Sequence, residues 1–322
     1  SIHVYPRQVS EGRRRNQEKA HGRPAFEVFT LLFFCRGRQG DGGIVSLKPK
    51  MTFIQKHAYD IGAGFAALLW PFFRKRRAIS VGNIVKCGIT ADPVEAKRIA
   101  KKAWCHLAGH ICEALCVPKV ITKDNWREHL DVSGADPEVV KVLLETPETP
   151  ILLVSSHHGV WEAATNLISF ARPMIAVARG MNSKLVAGWM KKHHFRGPVT
   201  IIDKNRGFTP SIIKRWFEEK SAMTILMDQH TSKGELLTFL GRPAMTYTSA
   251  ARLAIRTGHP IVVGSFVRVG PFKYRLVGSD PVVFSKDTDI RTATQLLNDR
   301  LGEVIRSYPE QYLWAHRRWR ND

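Results

Sequence analysis

The sequence predicts an α/β protein with a mostly parallel central sheet covered by helices, preceded by an N-terminal helical, membrane-associated segment. Two patterns carry the core of that expectation. Beyond Pro150, short apolar runs recur at 151–156, 174–179, 199–202, 222–227 and 260–269. They are too short for buried helices and are rich in Val, Ile and Met, as fully buried strands are. The stretches between them, 161–170, 183–194, 209–219 and 246–258, carry helical spacing. The third observation lies upstream. From Pro93 to Cys116, Ala96, Ile99, Ala100, Ala103, Leu107, Ile111 and Leu115 recur at three- and four-residue steps, the period of one helical face.

Taken in order, residues 1–50 are rich in Arg, Gly and Gln and have little periodicity outside an apolar stretch, Phe26 to Cys35, so they are expected to be loosely ordered. Residues 61–73 (IGAGFAALLWPFF) are uncharged and run straight into Arg74, Lys75, Arg76 and Arg77. An apolar segment beside a cationic cluster suits either a bilayer of anionic lipid or a buried helix with a solvated basic end. No run reaches the ~20 apolar residues of a spanning helix, and no signal-peptide layout is present. A boundary near residue 57 therefore separates a poorly ordered or membrane-proximal region, 1–57, from one large domain, 58–322.

The charge narrows the partners. Forty-nine Lys and Arg against 28 Asp and Glu give +21 in 322 residues, a field that favours nucleic acid, acidic membranes or anionic substrates. The basic residues are spread along the chain and form no recognition motif, which argues against nucleic acid. Five cysteines, an odd number, point to a reducing compartment. Cys105, Cys112 and Cys116 lie on one helical face with His106 and His110 nearby but lack the close Cys pairs of zinc sites, so neither metal nor cofactor is expected.

In parallel sheets, sites form where loops leave the carboxyl ends of strands. The run 151–156 ends in His157-His158-Gly159-Val160-Trp161-Glu162, followed by a helix. His157 falls on the loop and Glu162 in the first helical turn, where a carboxylate is favoured by the helix dipole. Folded across Gly159, Glu162 would accept a hydrogen bond from one ring nitrogen of His157 and leave the other as a base. No G-x-S-x-G nucleophile elbow is present, so the natural partner of that base is a hydroxyl of the substrate.

These residues resemble the H-x-G-x-W-E form of the H-x₄-D/E motif of the lysophospholipid acyltransferase superfamily. The branch they are most similar to is that of bacterial lipid A biosynthesis acyltransferases of the lauroyl/myristoyl type. Met227-Asp228-Gln229 resembles the family's D-Q step, Phe239 to Ala244 its F-x-G-R-P-A loop, and Gln311 to Trp319 its Y-L-W-x-H-R-R-W ending. Arg76, Arg77 and Asn83 resemble its R-R…N segment. The likeness spans roughly residues 58–320, and the first fifty or so residues contain no clean counterpart of the family's N-terminal membrane helix.

The resemblance implies acyl transfer from a thioester on acyl carrier protein or coenzyme A to a hydroxyl of an anionic glycolipid. It places the enzyme at the cytoplasmic face of the inner membrane, peripheral or N-terminally anchored. The acceptor is a lipid A precursor or, alternatively, a phosphatidylinositol mannoside or lysophospholipid. By the same likeness His157 is the general base and Glu162 its orienting partner, while Arg196 and Asp228 support substrate binding and developing charge. A cation can stabilise an oxyanion or hold a phosphate, and Gly159 can let backbone N–H groups approach at the helix start. Arg242 is a further phosphate-binding candidate, and Arg317 and Arg318 are candidates for contact with an anionic head group.

Overall fold

The structure, a computed structural model, describes residues 51–178, 197–203 and 208–320. The expected apolar segment Phe26 to Cys35, the expected helix at 183–194 and Arg196 lie outside the described residues.

Helix α1 (Ala58–Leu69) leads through a short turn into α2 (Arg74–Lys86), and α3 (Pro93–Val120) is the long helix foreseen from the spacing. The start of α3 is set locally. Asp92 caps it by accepting from the backbone N–H groups of Val94 (2.9 Å) and Glu95 (3.2 Å), and Pro93 occupies the first turn, where no N–H is needed. The chain then runs β1 (Leu130–Ala135), β2 (Ile151–Ser155), α4 (Trp161–Ala171), β3 (Met174–Ala178), β4 (Val199–Asp203), α5 (Pro210–Glu218) and β5 (Ala222–Leu226). It continues through β6 (Glu235–Phe239), β7 (Arg242–Thr246), α6 (Ser249–Thr257), β8 (Ile261–Gly270), β9 (Lys273–Gly278) and α7 (Ile290–Ser307).

Seven of these strands form one sheet in the order β1-β9-β8-β2-β5-β3-β4, in which every neighbouring pair is parallel except β8 and β9. The five apolar runs are β2, β3, β4, β5 and β8, so the mostly parallel sheet covered by helices is observed. Period-2 alternation divides the core between its two faces. Leu152, Val154, Met223, Ile225 and Val263 pack with Ala250 and Ala254 of α6 and Leu297 and Leu301 of α7. Ile151, Leu153 and Val262 pack with Leu167 and Ile168 of α4 and Val117 and Val120 of α3.

Other elements were not foreseen. β1 reads LDVSGA, with no strong alternation, and is recruited by pairing with β9. The hairpin β6–β7 turns at Leu240 and Gly241, both with positive φ (52° and 79°), the conformation of a two-residue I′ turn. Among the described residues no helix is long and apolar enough to cross a membrane.

A buried polar group joins α3 to the hairpin β8–β9. Glu113 accepts from Arg268 Nε and Nη2 (3.0 Å each to Oε2) and from the Tyr274 hydroxyl (2.9 Å), while the Arg268 guanidinium lies 3.7 Å from the centroid of the Tyr59 ring. The pairing satisfies a carboxylate that is only 2% exposed.

Candidate active site

β2 and β5 are parallel neighbours, with Ile151 opposite Ala222 and Ser155 opposite Leu226, an offset of 71 positions. Continued two residues beyond the strand ends, that register sets His157 beside Asp228. The two carboxylate oxygens of Asp228 meet the histidine twice: Oδ2 accepts from its backbone N–H (3.0 Å) and Oδ1 from ring Nδ1 (2.9 Å). A proton on Nδ1 leaves Nε2 with a lone pair, and the Gln229 amide donates to it at 3.1 Å. The imidazole is thus held in the tautomer that a general base requires.

Asp228 is 2% exposed. Burial alone would raise its carboxyl; the charge of His157, the hydrogen bonds from it and the charge of His316 together bring it below the usual carboxylate value. Tyr312, buried beside it, is pushed the other way: burial and then the Asp228 charge raise its phenol well above 10.

The hydrogen bond expected between His157 and Glu162 is therefore corrected. Among the described residues the two ring nitrogens of His157 are met by Asp228 and Gln229, and the orienting carboxylate comes from the neighbouring strand's end, not from the following helix. Glu162 does sit in the first turn of α4, and burial raises its carboxyl to about 7, opposed by the charge of His157. Two carboxylates near one imidazole are thus driven apart in acidity by their surroundings.

Gly159 is also reassigned. Its φ is +67°, and a Cβ there would stand 2.0 Å from the Phe266 carbonyl oxygen, so only glycine fits. Its N–H donates to the Gln311 carbonyl (3.0 Å) and that of Val160 to the Phe266 carbonyl (2.7 Å). These two donors are engaged within the protein and do not face a substrate. The N–H groups of Trp161, Glu162 and Ala163, at the start of α4, have no intrahelical acceptor by helix geometry, and no side chain caps this end.

The loop is braced from three directions. The C-terminal segment adds a β-bridge, with Leu313 N–H donating to the His157 carbonyl (3.0 Å) and His158 opposite Tyr312. His158 is fully buried and donates from Nε2 to the Tyr308 carbonyl (2.9 Å), a wall and not a base. From α3, His106 donates from Nε2 to the Gly159 carbonyl (3.0 Å) while its Nδ1 accepts from the Tyr59 hydroxyl (3.1 Å). Burial lowers His106 and His158 to about 4, which keeps both neutral and their hydrogen bonds in place. Trp161 packs edge-on against His157 at 5.2 Å and against His110 at 4.2 Å.

Arg318, a head-group candidate from sequence, is 1% exposed. It donates to the carbonyls of Gln229 (3.2 Å) and Met245 and to the Thr246 hydroxyl (2.6 Å). It ties the Asp228-Gln229 loop to the hairpin β6–β7, so its part is structural. Arg242 is buried as well, donating to Asn83 Oδ1 (3.3 Å) and lying 4.8 Å from the Trp319 ring centroid. Asn83 in turn donates to the carbonyls of Trp314 (2.9 Å) and His316 (3.1 Å), so the R-R…N segment clasps the C-terminal segment. Cys87, Cys105, Cys112 and Cys116 form no disulfide among the described residues, and burial pushes Cys112 up to about 11. Among the described residues no cluster of His, Cys, Asp or Glu is arranged to hold a metal.

A histidine whose Nδ1 meets a buried carboxylate at the carboxyl edge of a parallel sheet is an arrangement chemically suited to proton abstraction. The sequence identifies which enzyme class: residues 46–321 match the family of bacterial lipid A biosynthesis acyltransferases, and the chain belongs to that family. It is similar to a lipid A biosynthesis palmitoleoyltransferase of Escherichia coli (strain K12) and to a lipid A biosynthesis acyltransferase of Shigella flexneri. Each is 22% identical over 267 residues, which are 81% of this chain and 84% of the relative. The chain is an acyltransferase.

Proposed function

We propose that the protein transfers a fatty acyl chain from a thioester, carried on acyl carrier protein or coenzyme A, to a hydroxyl of a lipid A precursor. The reaction takes place at the cytoplasmic face of the inner membrane, where this anionic glycolipid presents its hydroxyls. The observation that carries the reading is the 2.9 Å contact from His157 Nδ1 to the buried Asp228 within a chain of this family.

In this reaction the acceptor hydroxyl displaces the Gln229 amide from Nε2 of His157. As its oxygen bonds to the thioester carbonyl carbon, its proton passes to Nε2, and the carbonyl oxygen takes up the negative charge. Collapse of the tetrahedral intermediate breaks the C–S bond, and the imidazolium returns the proton to the departing thiolate. The products are an ester and a free thiol. Asp228 stabilises the imidazolium and keeps Nδ1 protonated. Glu162 adds a second, more weakly acidic carboxyl close to the same charge. Arg196 and the N–H groups at the start of α4 support the oxyanion or an acceptor phosphate. Gly159 acts through the shape of the loop.

Mass spectrometry of lipids from cells expressing the intact protein or His157→Ala at equal levels tests this. A glycolipid heavier by one fatty acyl group, present only with the intact protein, is the expected result and identifies acceptor and chain together. An acylated phosphatidylinositol mannoside or lysophospholipid in its place would overturn the lipid A assignment. Equal product with His157→Ala would overturn the mechanism.

A further inference from the structure

Helix α1 has one face packed against α3 and an exposed apolar flank. Ala58, Gly62 and Ala66, four residues apart, are buried towards α3. The approach is backbone to backbone: a Cβ at Gly62 would stand 2.7 Å from the Ala108 carbonyl oxygen, and one at Gly109 would stand 2.8 Å from the Tyr59 ring. Trp104 Nε1 donates to the Ala66 carbonyl (3.0 Å), and Trp70 and Phe73 pack on the Trp104 ring. The orientation of α1 is therefore fixed.

On the flank beside that face Ile61, Phe65 and Leu68 follow at i, i+4 and i+7, and Phe72, in the short turn Trp70–Phe72 after the helix, extends this apolar surface. All four are exposed, Leu68 at 73% and Phe72 at 79%. Leaving such side chains in water is unfavourable, and contiguous patches of this kind mark contact surfaces. Directly after the stripe come the exposed cations Arg74 and Lys75, which form no ion pair among the described residues.

We infer that the Ile61–Phe72 stripe, with Arg74 and Lys75 at its end, is the surface by which the protein docks on an anionic lipid bilayer. A helix held flat, with aromatic and Leu side chains outward and cations at head-group depth, is the form such contacts take. The charge argues for lipid. A chain of net charge +21 that places two exposed cations, in no ion pair among the described residues, beside its exposed apolar stripe complements anionic head groups. The surface is also adjacent to the catalytic loop. Tyr59 of α1 contacts His106, and His106 holds the Gly159 carbonyl, so docking through α1 brings His157 to the bilayer through two side chains. The functional value of this placement rests on the acceptor being a membrane lipid, as proposed above.

The test is sedimentation of the purified full chain with vesicles of phosphatidylethanolamine and phosphatidylglycerol, compared with phosphatidylcholine alone. Replacing Phe65, Leu68 and Phe72 together by Ser is expected to lower partition by at least about tenfold. Arg74→Glu with Lys75→Glu is expected to cost about fivefold or more per charge, on anionic vesicles only, and less at high salt. Thermal unfolding verifies that both variants fold, and thioester consumption with a detergent-dispersed acceptor is expected to be unchanged in both. Partition of the Ser variant equal to that of the parent overturns the inference. So does a parent dimer that the Ser variant dissolves, since a second copy then covers the stripe. Stripe-dependent vesicle binding without thioester consumption by the parent would leave the docking surface standing and overturn the proposed reaction instead.

Discussion

Replacing Asp228 by Asn retains size and removes the charge. Two hydrogen bonds from His157 end on this side chain, at 2.9 and 3.0 Å. An Asn that keeps its oxygen on the backbone N–H turns its NH₂ towards Nδ1, which must then accept. The proton moves to Nε2, and the base is lost at the atom where it acts. General-base catalysis is worth 10²- to 10⁴-fold, so a loss of about 10³-fold in kcat is expected, roughly 4 kcal/mol of transition-state stabilisation. The assay is thioester consumption by the parent, Asp228→Asn, Glu162→Gln, His157→Ala and the double variant His157→Ala/Asp228→Asn. The double variant is expected to match His157→Ala, because the two residues act as a unit. Activity of Asp228→Asn within about threefold of the parent, with Glu162→Gln the damaged variant, would refute the reasoning and return the orienting role to the helix.

Gly159→Ala forces a Cβ to 2.0 Å from the Phe266 oxygen at a positive φ, so a loss of about 2–4 kcal/mol in denaturant unfolding is expected, together with most of the activity. Glu113→Ala leaves the partly buried Arg268 without its carboxylate and is expected to cost about 3 kcal/mol in the same measurement, whereas Glu113→Gln, which can still accept, costs less. His106 and His158 are both lowered by burial to about 4, against 6.5 when unfolded. The unfolded chain therefore binds more protons between those values, and the stability these residues contribute is full above 6.5 and lost as pH falls towards 4. Unfolding midpoints measured across that window should fall with pH, and His106→Gln should flatten the dependence; an unchanged slope would contradict the burial argument.

The strands β2, β3, β4, β5 and β8 were legible because a strand buried on both faces is apolar throughout, whatever it pairs with. Helix α3 was legible for a similar reason, since its spacing repeats over seven residues from Ala96 to Leu115. β1 and β9 were not, because their place depends on a neighbour: LDVSGA becomes a strand by lying beside β9. The hairpin β6–β7 carries only a weak local signal, the Leu-Gly pair at its turn. The charge of Arg318 in the basic ending predicts a surface position, and the Gln229 and Met245 carbonyls and Thr246 close around it instead.

At the site, His157 was visible because it stands one residue after the apolar run 151–156 and just before a helix, a purely local arrangement. The same local stretch offers Glu162 as its hydrogen-bond partner, but hydrogen bonds follow space, and Nδ1 of His157 meets Asp228. The D-Q step marks Asp228 as a candidate by resemblance, but its pairing with His157 exists only through the β2–β5 register, a contact across 71 positions. Residue types and their spacing determined which groups of chemistry this chain possesses and which strand end presents them. The tertiary structure alone decided which carboxylate holds the base, which glycine N–H groups are already engaged and which arginines are buried, because each depends on close packing between segments far apart in the chain.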